Sequence, residues 1–202
     1  MPQPPVFTHA RPLRRLLPAL LAAVLLPVAG GCLTSEYKEY RIKLRADRSG
    51  DATIRFVNIL SESDDSTAAS EDFEELVNGY LLGTKIEKGN PSFHNVKKRL
   101  YEQDGVLVGE VSFSFDSLAV VRLFKYDPGS PIMFFPGDRR TSEVLVETNG
   151  TYGRDWMPVV FWPAGATELT LRTRIAPQAL QRRSLLRDYR EWQTAQSRPK
   201  KQ

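Results

Sequence analysis

The fold of this 202-residue chain is decided by residues 96–115, which read VKKRLYEQDGVLVGEVSFSF. Two runs of alternating apolar and polar side chains, 96–102 and 107–115, flank Gln103-Asp104-Gly105. Asp-Gly between alternating runs predicts a tight β-hairpin, because both residues accept the positive φ of such a turn. Alternate residues of a strand share a face, so the predicted core-facing row is Leu107, Gly109, Val111, Phe113 and Phe115.

A similar pattern predicts an earlier hairpin. Residues 37–46 alternate around Tyr40, Ile42 and Leu44, with basic residues between them, and residues 52–60 show a second alternating run. Asp47-Arg48-Ser49-Gly50-Asp51 lies between the runs and predicts a turn in which Gly50 takes positive φ. Two successive hairpins imply antiparallel pairing.

The segment between these hairpins predicts a loop and then one helix. Residues 61–70 are acidic and polar, which predicts a mobile loop. Ser70 is the predicted N-cap, acidic residues in the first turns favour the helix dipole, and Gly83 is the predicted stop. The apolar residues at helical spacing are Phe73, Leu76, Val77, Tyr80 and Leu81.

The rest of the chain predicts short strands and a terminal helix. Residues 117–124 favour one or two helical turns, and Asn149-Gly150 predicts a tight turn with positive φ. The predicted strands are 132–135, 142–147, 159–162 and 168–175, and the terminal helix spans residues 177–195. We therefore predict an α+β fold, with an antiparallel sheet built from hairpins, one helix in the body and a C-terminal amphipathic helix.

The first 31 residues differ from the rest. Arg11, Arg14 and Arg15 precede residues 16–29, which carry no charge. This run is shorter than the roughly 20 apolar residues that a membrane-spanning helix needs. It ends in small residues directly before Cys32. A basic start, a short apolar middle and a small-residue end predict a secretory signal peptide.

Val28-Ala29-Gly30-Gly31-Cys32 resembles the lipobox of bacterial lipoproteins, although Ala29 stands where that pattern more often has leucine. The resemblance implies that Cys32 becomes a lipid anchor after cleavage, with diacylglycerol on its thiol and an acyl chain such as palmitate on its amine. It also implies export from the cytoplasm and attachment to the cell envelope. Leu33 follows the cysteine where inner-membrane lipoproteins commonly have aspartate, so the resemblance favours the outer membrane.

Four segments are expected: a signal peptide at 1–31, an anchor and short tether at 32–35, an α+β ectodomain at 36–176, and a basic amphipathic helix with a disordered tail at 177–202. The ectodomain also resembles small lipid-anchored domains such as the LppM-like domain of bacterial lipoproteins. That resemblance implies topology only, and it is carried by residues 47–51, by Asp104-Gly105 and by residues 111–115.

The chain offers few residues for catalysis or for metal binding. After cleavage His94 would be the only histidine, and Cys32 is the only cysteine of the chain. Zinc sites need about four Cys, His or carboxylate ligands at short spacing, and a serine hydrolase would depend on His94. We expect His94 to face solvent or cap a turn. The acidic residues of 62–75 are explained by loop solvation and the helix dipole, so we expect no catalytic residue, cofactor or metal.

Charge argues against a nucleic-acid partner. Without the three arginines of the leader, 25 basic residues stand against 24 acidic ones. Residues 32–171 have a net charge of −6 and residues 172–202 of +7. An exported and nearly neutral protein lacks the overall basic character of nucleic-acid binders.

Two features leave a binding role open. The proline-bounded apolar runs 131–136 and 156–163 favour either buried strands or an apolar pocket or membrane-proximal patch. The terminal helix has an apolar stripe that either packs on the domain or lies on an anionic membrane. The stripe consists of Leu185, Leu186, Tyr189 and Trp192.

Together these patterns favour a non-enzymatic envelope protein with a binding or assembly role close to the membrane. Its expected partners are the membrane, through Cys32, and an unidentified envelope protein or apolar ligand. A cavity of several hundred Å³ lined by aromatic residues would favour ligand binding. The alternative is a hydrolase acting on envelope material through two carboxylates about 5–10 Å apart.

Overall fold

Eleven strands and three α-helices form the part of the chain that the structure describes. This computed structural model describes residues 33–63, 65–136, 143–154, 156–175 and 181–197. The strands are β1 (Leu33–Leu44), β2 (Gly50–Ser61), β3 (His94–Gln103), β4 (Val106–Phe115), β5 (Leu123–Phe124), β6 (Ile132–Phe134), β7 (Glu143–Thr148), β8 (Thr151–Tyr152), β9 (Val160–Trp162), β10 (Glu168–Ile175) and β11 (Arg183–Ser184).

The strands form two antiparallel sheets. The larger sheet has the order β3-β4-β2-β1-β10-β7, and β11 pairs with the end of β2. The smaller sheet has the order β5-β6-β9-β8. The helices are α1 (Ser66–Glu74), which continues as a π-helical segment (Glu75–Leu81), α2 (Lys85–Gly89) and α3 (Leu186–Ser197), and residues Leu118–Val121 form a 3-10 turn. The predicted α+β fold, with an antiparallel sheet and a C-terminal helix, is confirmed.

The two faces of the larger sheet differ in polarity. One face carries ion pairs between neighbouring strands, such as Arg55 with Glu39 and Arg99 with Glu110. The opposite face, called the inner face below, carries the apolar residues that the strand registers align, such as Ile42 beside Ala52. Burial of this face accounts for the period-two pattern in the sequence.

Two hydrophobic cores cover the inner face at its two ends. In the first core, Ile42 and Phe113 of the larger sheet pack with Phe134 and Trp162 of the smaller sheet. In the second core, Ile59 and Leu107 pack with side chains of α1 and α3, including Phe73 and Tyr189. The middle of the inner face lies between these two covers.

The hairpin of residues 94–115 forms as predicted. Asp104 and Gly105 have φ of 51° and 74°, and the strands on either side pair in register from Lys97 with Ser112 to Gln103 with Val106. Leu107, Val111, Phe113 and Phe115 are buried. A two-residue turn with positive φ at both positions has a twist that matches the twist of the paired strands. Asp104 and Gly105 both tolerate this φ, so the turn fits the hairpin.

The body helix begins earlier than predicted. Asp65, and not Ser70, is its N-cap: Asp65 Oδ1 accepts hydrogen bonds from the backbone N–H groups of Thr67 and Ala68 at 2.8 and 2.9 Å. The predicted loop at 61–70 is therefore wrong for residues 66–70. The short helix α2 was also not predicted, so the body holds more than the single expected helix.

Two predicted turns differ in detail. Positive φ in the first hairpin falls on Arg48, at 69°, while Gly50 already belongs to β2. A Cβ atom at Gly50 would lie 2.3 Å from the carbonyl oxygen of Lys43, so the close approach of the two strands requires glycine here.

Asn149-Gly150 has no positive φ and connects the two sheets instead of closing a hairpin. Asn149 Oδ1 accepts hydrogen bonds from Trp162 Nε1 at 2.7 Å and from the Thr170 amide at 2.9 Å.

Both ends of the predicted ectodomain also change. Residues 33–35, predicted as a tether, are the first residues of β1 and pair with residues 59–61. Within the predicted terminal helix, Arg183–Ser184 form β11 against β2, and α3 begins only at Leu186. Backbone pairing with the free end of β2 satisfies the amides that a longer helix would have satisfied internally. Residues 176–180 and 198–202 lie outside the described residues.

Candidate apolar binding groove

A groove of about 680 Å³ runs along the middle of the inner face. Its floor is formed by apolar residues of β1, β2 and β4, including Leu33, Phe56 and Val111. Its wall is formed by the π-helical segment, by α2 and by the loop that follows α2, including Leu76 and Phe93. The volume lies within the roughly 300–1,000 Å³ of ordinary small-molecule sites.

An irregularity in β2 and a glycine in β4 make room for this groove. Phe56 and Ile59 both line it although they are three residues apart, because Asn58 between them, at φ 58°, interrupts the alternation of the strand. Gly109 of β4 lies opposite Phe56. A Cβ atom at Gly109 would lie 3.0 Å from Ile59 Cδ1, so any larger residue would project into the groove.

A second cavity of about 240 Å³ continues the groove toward the smaller sheet. The two cavities share part of their lining, including Lys38, Phe56 and Phe93. Phe93 stacks on Phe113 with ring centroids 3.6 Å apart and an interplanar angle of 7°. The ring of Phe93 thus forms part of the boundary between the two spaces.

The four basic residues of the groove lining are all paired with carboxylates. Lys98 Nζ donates to the Gly83 carbonyl at 2.6 Å and to Glu87 Oε1 at 2.7 Å. This contact holds the pKa of the Glu87 carboxyl below its usual value. Lys85 pairs with Glu75, and Lys38 pairs with Glu143. Arg99 and Glu110 also belong to the lining, but their side chains pair with each other on the opposite, polar face of the sheet. The lining therefore offers no unpaired positive charge to a ligand.

The pair of Lys38 and Glu143 is the most buried of these contacts. The Glu143 side chain is fully buried, and its carboxylate accepts hydrogen bonds from Lys38 Nζ at 2.6 Å, Thr173 Oγ1 at 2.9 Å and Tyr40 Oη at 3.2 Å. Burial, and then the negative charge of Glu143, raise the pKa of the Tyr40 phenol above its usual value. Tyr40 therefore remains a neutral hydrogen-bond donor to Glu143.

Ser35 is the one lining residue with an unsatisfied buried hydroxyl. The residue is 3% exposed, and its Oγ has no hydrogen-bond partner among the described residues. A buried hydroxyl without a partner destabilises a fold by about 1–3 kcal/mol. Ser35 lies two residues after Leu33, where β1 begins.

The predicted anchor residue, Cys32, lies outside the described residues, but its chain neighbour Leu33 lines the groove. His94 is half exposed at the start of β3, and its Nε2 lies 2.9 Å from Asp116 Oδ2, so the predicted solvent-facing position is confirmed.

The proline-bounded apolar runs 131–136 and 156–163 supply buried core residues, as one of their two interpretations predicted. These are Ile132, Phe134, Val160 and Trp162, whereas Phe135, Trp156 and Met157 of the same runs remain exposed.

The apolar stripe of the terminal helix packs on the domain, which decides between its two interpretations. Leu185 and Tyr189 are buried in the second core, and Leu186 and Trp192 pack against it. Trp192 contacts Phe73 of α1 edge to face, with ring centroids 6.5 Å apart. Arg190 on the outer side pairs with Glu102 of β3.

Groups for hydrolytic or metal chemistry are sparse in the described residues. Glu110 is the one acidic residue of the groove lining there, and its carboxylate lies on the polar face, where it binds Arg99 and accepts a hydrogen bond from Tyr101. No cluster of three or more His, Cys, Asp or Glu side chains suited to a metal ion occurs among these residues. Within the same ranges, every helix is too short or too polar to cross a membrane.

Sequence reasoning missed the residues that shape the groove. Gly109 was assigned to the core-facing row, but nothing local shows that its missing side chain opens a cavity. Ser35 was assigned to a tether, because one serine before an alternating run carries no pattern. Phe93 stands in a loop after Gly89-Asn90-Pro91, and its stacking on Phe113 depends on residues twenty positions apart.

No family model, no curated protein and no solved structure gives a match to this chain.

Proposed function

We propose that this protein is a lipid-anchored envelope protein, held by an acylated Cys32, whose groove binds an apolar ligand close to the membrane. In this proposal the protein has a binding role and no enzymatic activity. Its single main support is the groove of about 680 Å³ whose lining is mostly apolar and whose charged residues are already paired. Each methylene group that moves from water into such a groove contributes about 0.8 kcal/mol to binding.

The position of the groove supports the link with the membrane. Leu33 is joined directly to Cys32 and lines the groove. Consecutive Cα atoms lie about 3.8 Å apart, so a lipid on Cys32 would bring this end of the groove to the bilayer surface. An apolar ligand could then pass between the bilayer and the groove over a short distance.

Binding can be tested with diphenylhexatriene, an elongated neutral hydrocarbon that fluoresces in apolar surroundings. A soluble chain of residues 33–202 serves for this test, because it contains every described strand and helix and the described residues of both hydrophobic cores. We expect saturable binding by the wild type. Gly109→Val should weaken it at least tenfold, because the valine fills the groove.

Ser112→Val is the matched control. It places the same residue in the same strand, three positions away and on the opposite face of the sheet. Ser112→Val should bind the probe like the wild type. Absence of probe binding by the folded wild type, or equal binding by Gly109→Val, would show that the groove does not hold apolar ligands.

The anchor has its own test. Cys32→Ser in the full chain should leave an uncleaved and unacylated precursor, because the thiol accepts the diacylglycerol. Metabolic labelling with a fatty-acid probe measures this directly. Label in Cys32→Ser at the wild-type level would exclude Cys32 as the acylated residue.

A further inference from the structure

The chemistry of the lining narrows the class of ligand, provided that the groove binds apolar ligands as proposed above. We infer that the ligand is an acyl chain of a neutral ester lipid from the membrane that holds Cys32, with the ester carbonyl accepting a hydrogen bond from the Ser35 hydroxyl. Three features of the groove carry this inference: its paired charges, its unsatisfied hydroxyl and its direction.

Pairing of the charges argues against an ionised headgroup inside the groove. An anionic ligand such as a fatty acid needs a cation to offset the loss of water around its carboxylate. Lys98 is held by Gly83 and Glu87, and Lys38 is held by the buried Glu143. Recruiting either lysine would leave a carboxylate without its partner, so a neutral ligand is favoured.

Ser35 supplies the polar group that a neutral ester requires. Its hydroxyl is the one buried hydroxyl without a partner among the described residues, and the residue belongs to the groove lining. An ester carbonyl accepts hydrogen bonds and carries no charge, so it would satisfy Ser35 without disturbing the ion pairs. A pure hydrocarbon would leave this hydroxyl unsatisfied.

The direction of the groove suits an extended chain. The lining follows β1 from Leu33 to Lys38, a span of about 17 Å at the usual rise of a strand. The ester at Ser35 would lie at the end nearer the bilayer, and the hydrocarbon would extend toward Phe93. This orientation of the ligand is the one expected for a lipid that enters the groove from the adjacent membrane with its hydrocarbon chain first.

The lipid on Cys32 itself is less suited to this position. Ser35 follows Cys32 by three residues in the sequence, and three residues of extended chain span about 10 Å. An ester of the Cys32 diacylglycerol would have to fold back over that distance. A separate membrane lipid meets no such constraint.

Displacement of diphenylhexatriene from residues 33–202 by three ligands of similar length tests the inference: tridecane, laurate and methyl laurate. We expect methyl laurate to displace the probe at a concentration at least fivefold lower than tridecane, and laurate to be the weakest. Ser35→Ala should remove the advantage of methyl laurate over tridecane and leave tridecane unchanged. Ser112→Ala, which removes a hydroxyl from the opposite face, should change none of the three.

The outcomes separate this inference from the proposed function. If tridecane displaces the probe but methyl laurate has no advantage, or if Ser35→Ala weakens both ligands equally, the groove binds hydrocarbons and the ester inference is wrong. Tightest binding by laurate overturns the neutral-ligand inference. If the probe itself does not bind, the proposed function fails first.

The source of the lipid is tested on the acylated chain. Native mass spectrometry of the mature protein released from membranes should show one non-covalent neutral acylglycerol, lost in Gly109→Val and retained in Ser112→Val. The acylated chain could instead carry no such lipid and fail to bind the probe, although residues 33–202 bind it. In that case the Cys32 lipid occupies the groove. That result would overturn a membrane lipid as the occupant.

Discussion

The phenol oxygen of Tyr189 in α3 donates a hydrogen bond to the carbonyl oxygen of Leu100 in β3, over 3.0 Å. Leu100 also lines the groove, and Tyr189 is 2% exposed in the second core. Burial, and then the charge of Glu102, raise the pKa of this phenol, so Tyr189 keeps its donor hydrogen. The terminal helix is therefore part of the domain that forms the groove.

Removing residues 181–202 should destabilise the domain markedly. The deletion removes the buried side chains of Leu185 and Tyr189, each contributing about 1.5–3 kcal/mol, from a fold whose total stability is typically about 5–15 kcal/mol. Thermal melting of residues 33–202 and 33–180 measures the effect, and a chain ending at Ser197 is the control that keeps α3. An unchanged melting temperature, with weaker binding to anionic vesicles, would instead assign the helix to the membrane.

Loss of the Glu102 charge should change how stability depends on pH. Arg190 holds the pKa of the Glu102 carboxyl below its usual value of 4.5. A lowered pKa in the folded state means that the stabilisation is present above the ordinary carboxyl pKa and is lost as the pH falls through the lower value. Glu102→Gln should therefore lower the melting temperature near neutral pH and make no difference in strong acid.

Glu191→Gln is the comparison for this measurement. Glu191 pairs with Arg187 four residues away in the same helix, so this pair does not tie α3 to the sheet. Both pairs are exposed, and salt should weaken each of them. A difference between wild type and Glu102→Gln that grows toward acid pH would contradict the assignment.

Lys38→Met should be strongly destabilising because it leaves the buried Glu143 carboxylate without its cation. Breaking a buried pair on one side typically costs about 3–5 kcal/mol, and partial exposure of Lys38 places the effect near the lower limit. Adding Glu143→Gln should recover part of the loss, because the amide still accepts from Tyr40 and Thr173. Chemical denaturation measures both, and Lys43→Met, at an exposed position of β1, should have little effect. Equal stability of Lys38→Met and Lys43→Met would contradict the assignment of Lys38 as the cation that stabilises the buried Glu143 carboxylate.

Acylation of Cys32 should place one end of the sheet closer to the bilayer than the other. β1 begins at Leu33 without a spacer, and Lys43 lies about 33 Å further along the strand. Gln103, at the end of β3, lies at the same end of the sheet as Leu33. Spin labels at positions 103 and 43 of the acylated protein on vesicles should show the label at 103 nearer the headgroups. A label at 43 that lies closer would contradict this orientation.

The elements that could be predicted share a local cause. Asp104-Gly105 set the hairpin of β3 and β4 because the positive φ of its turn is a property of those two residues. The run of residues 168–175 was predicted as a strand with the bounds that β10 has, because burial of one face imposes a period of two. The helix start was missed because Asp65 and Ser70 are both good N-caps, and sequence alone does not rank them.

The sequence by itself determined the antiparallel hairpins, the α+β class and the apolar stripe of the terminal helix, because turn chemistry and hydrophobic periodicity act between near neighbours in the chain. Only the tertiary structure decided that this stripe packs on Phe73, that Glu143 meets Lys38 across the sheet, and that Gly109, Ser35 and Phe93 surround one groove. A groove is the space that distant segments leave unfilled when they pack. Its existence depends on which side chains meet in three dimensions, and the hydrophobic periodicity of the sequence does not specify those contacts.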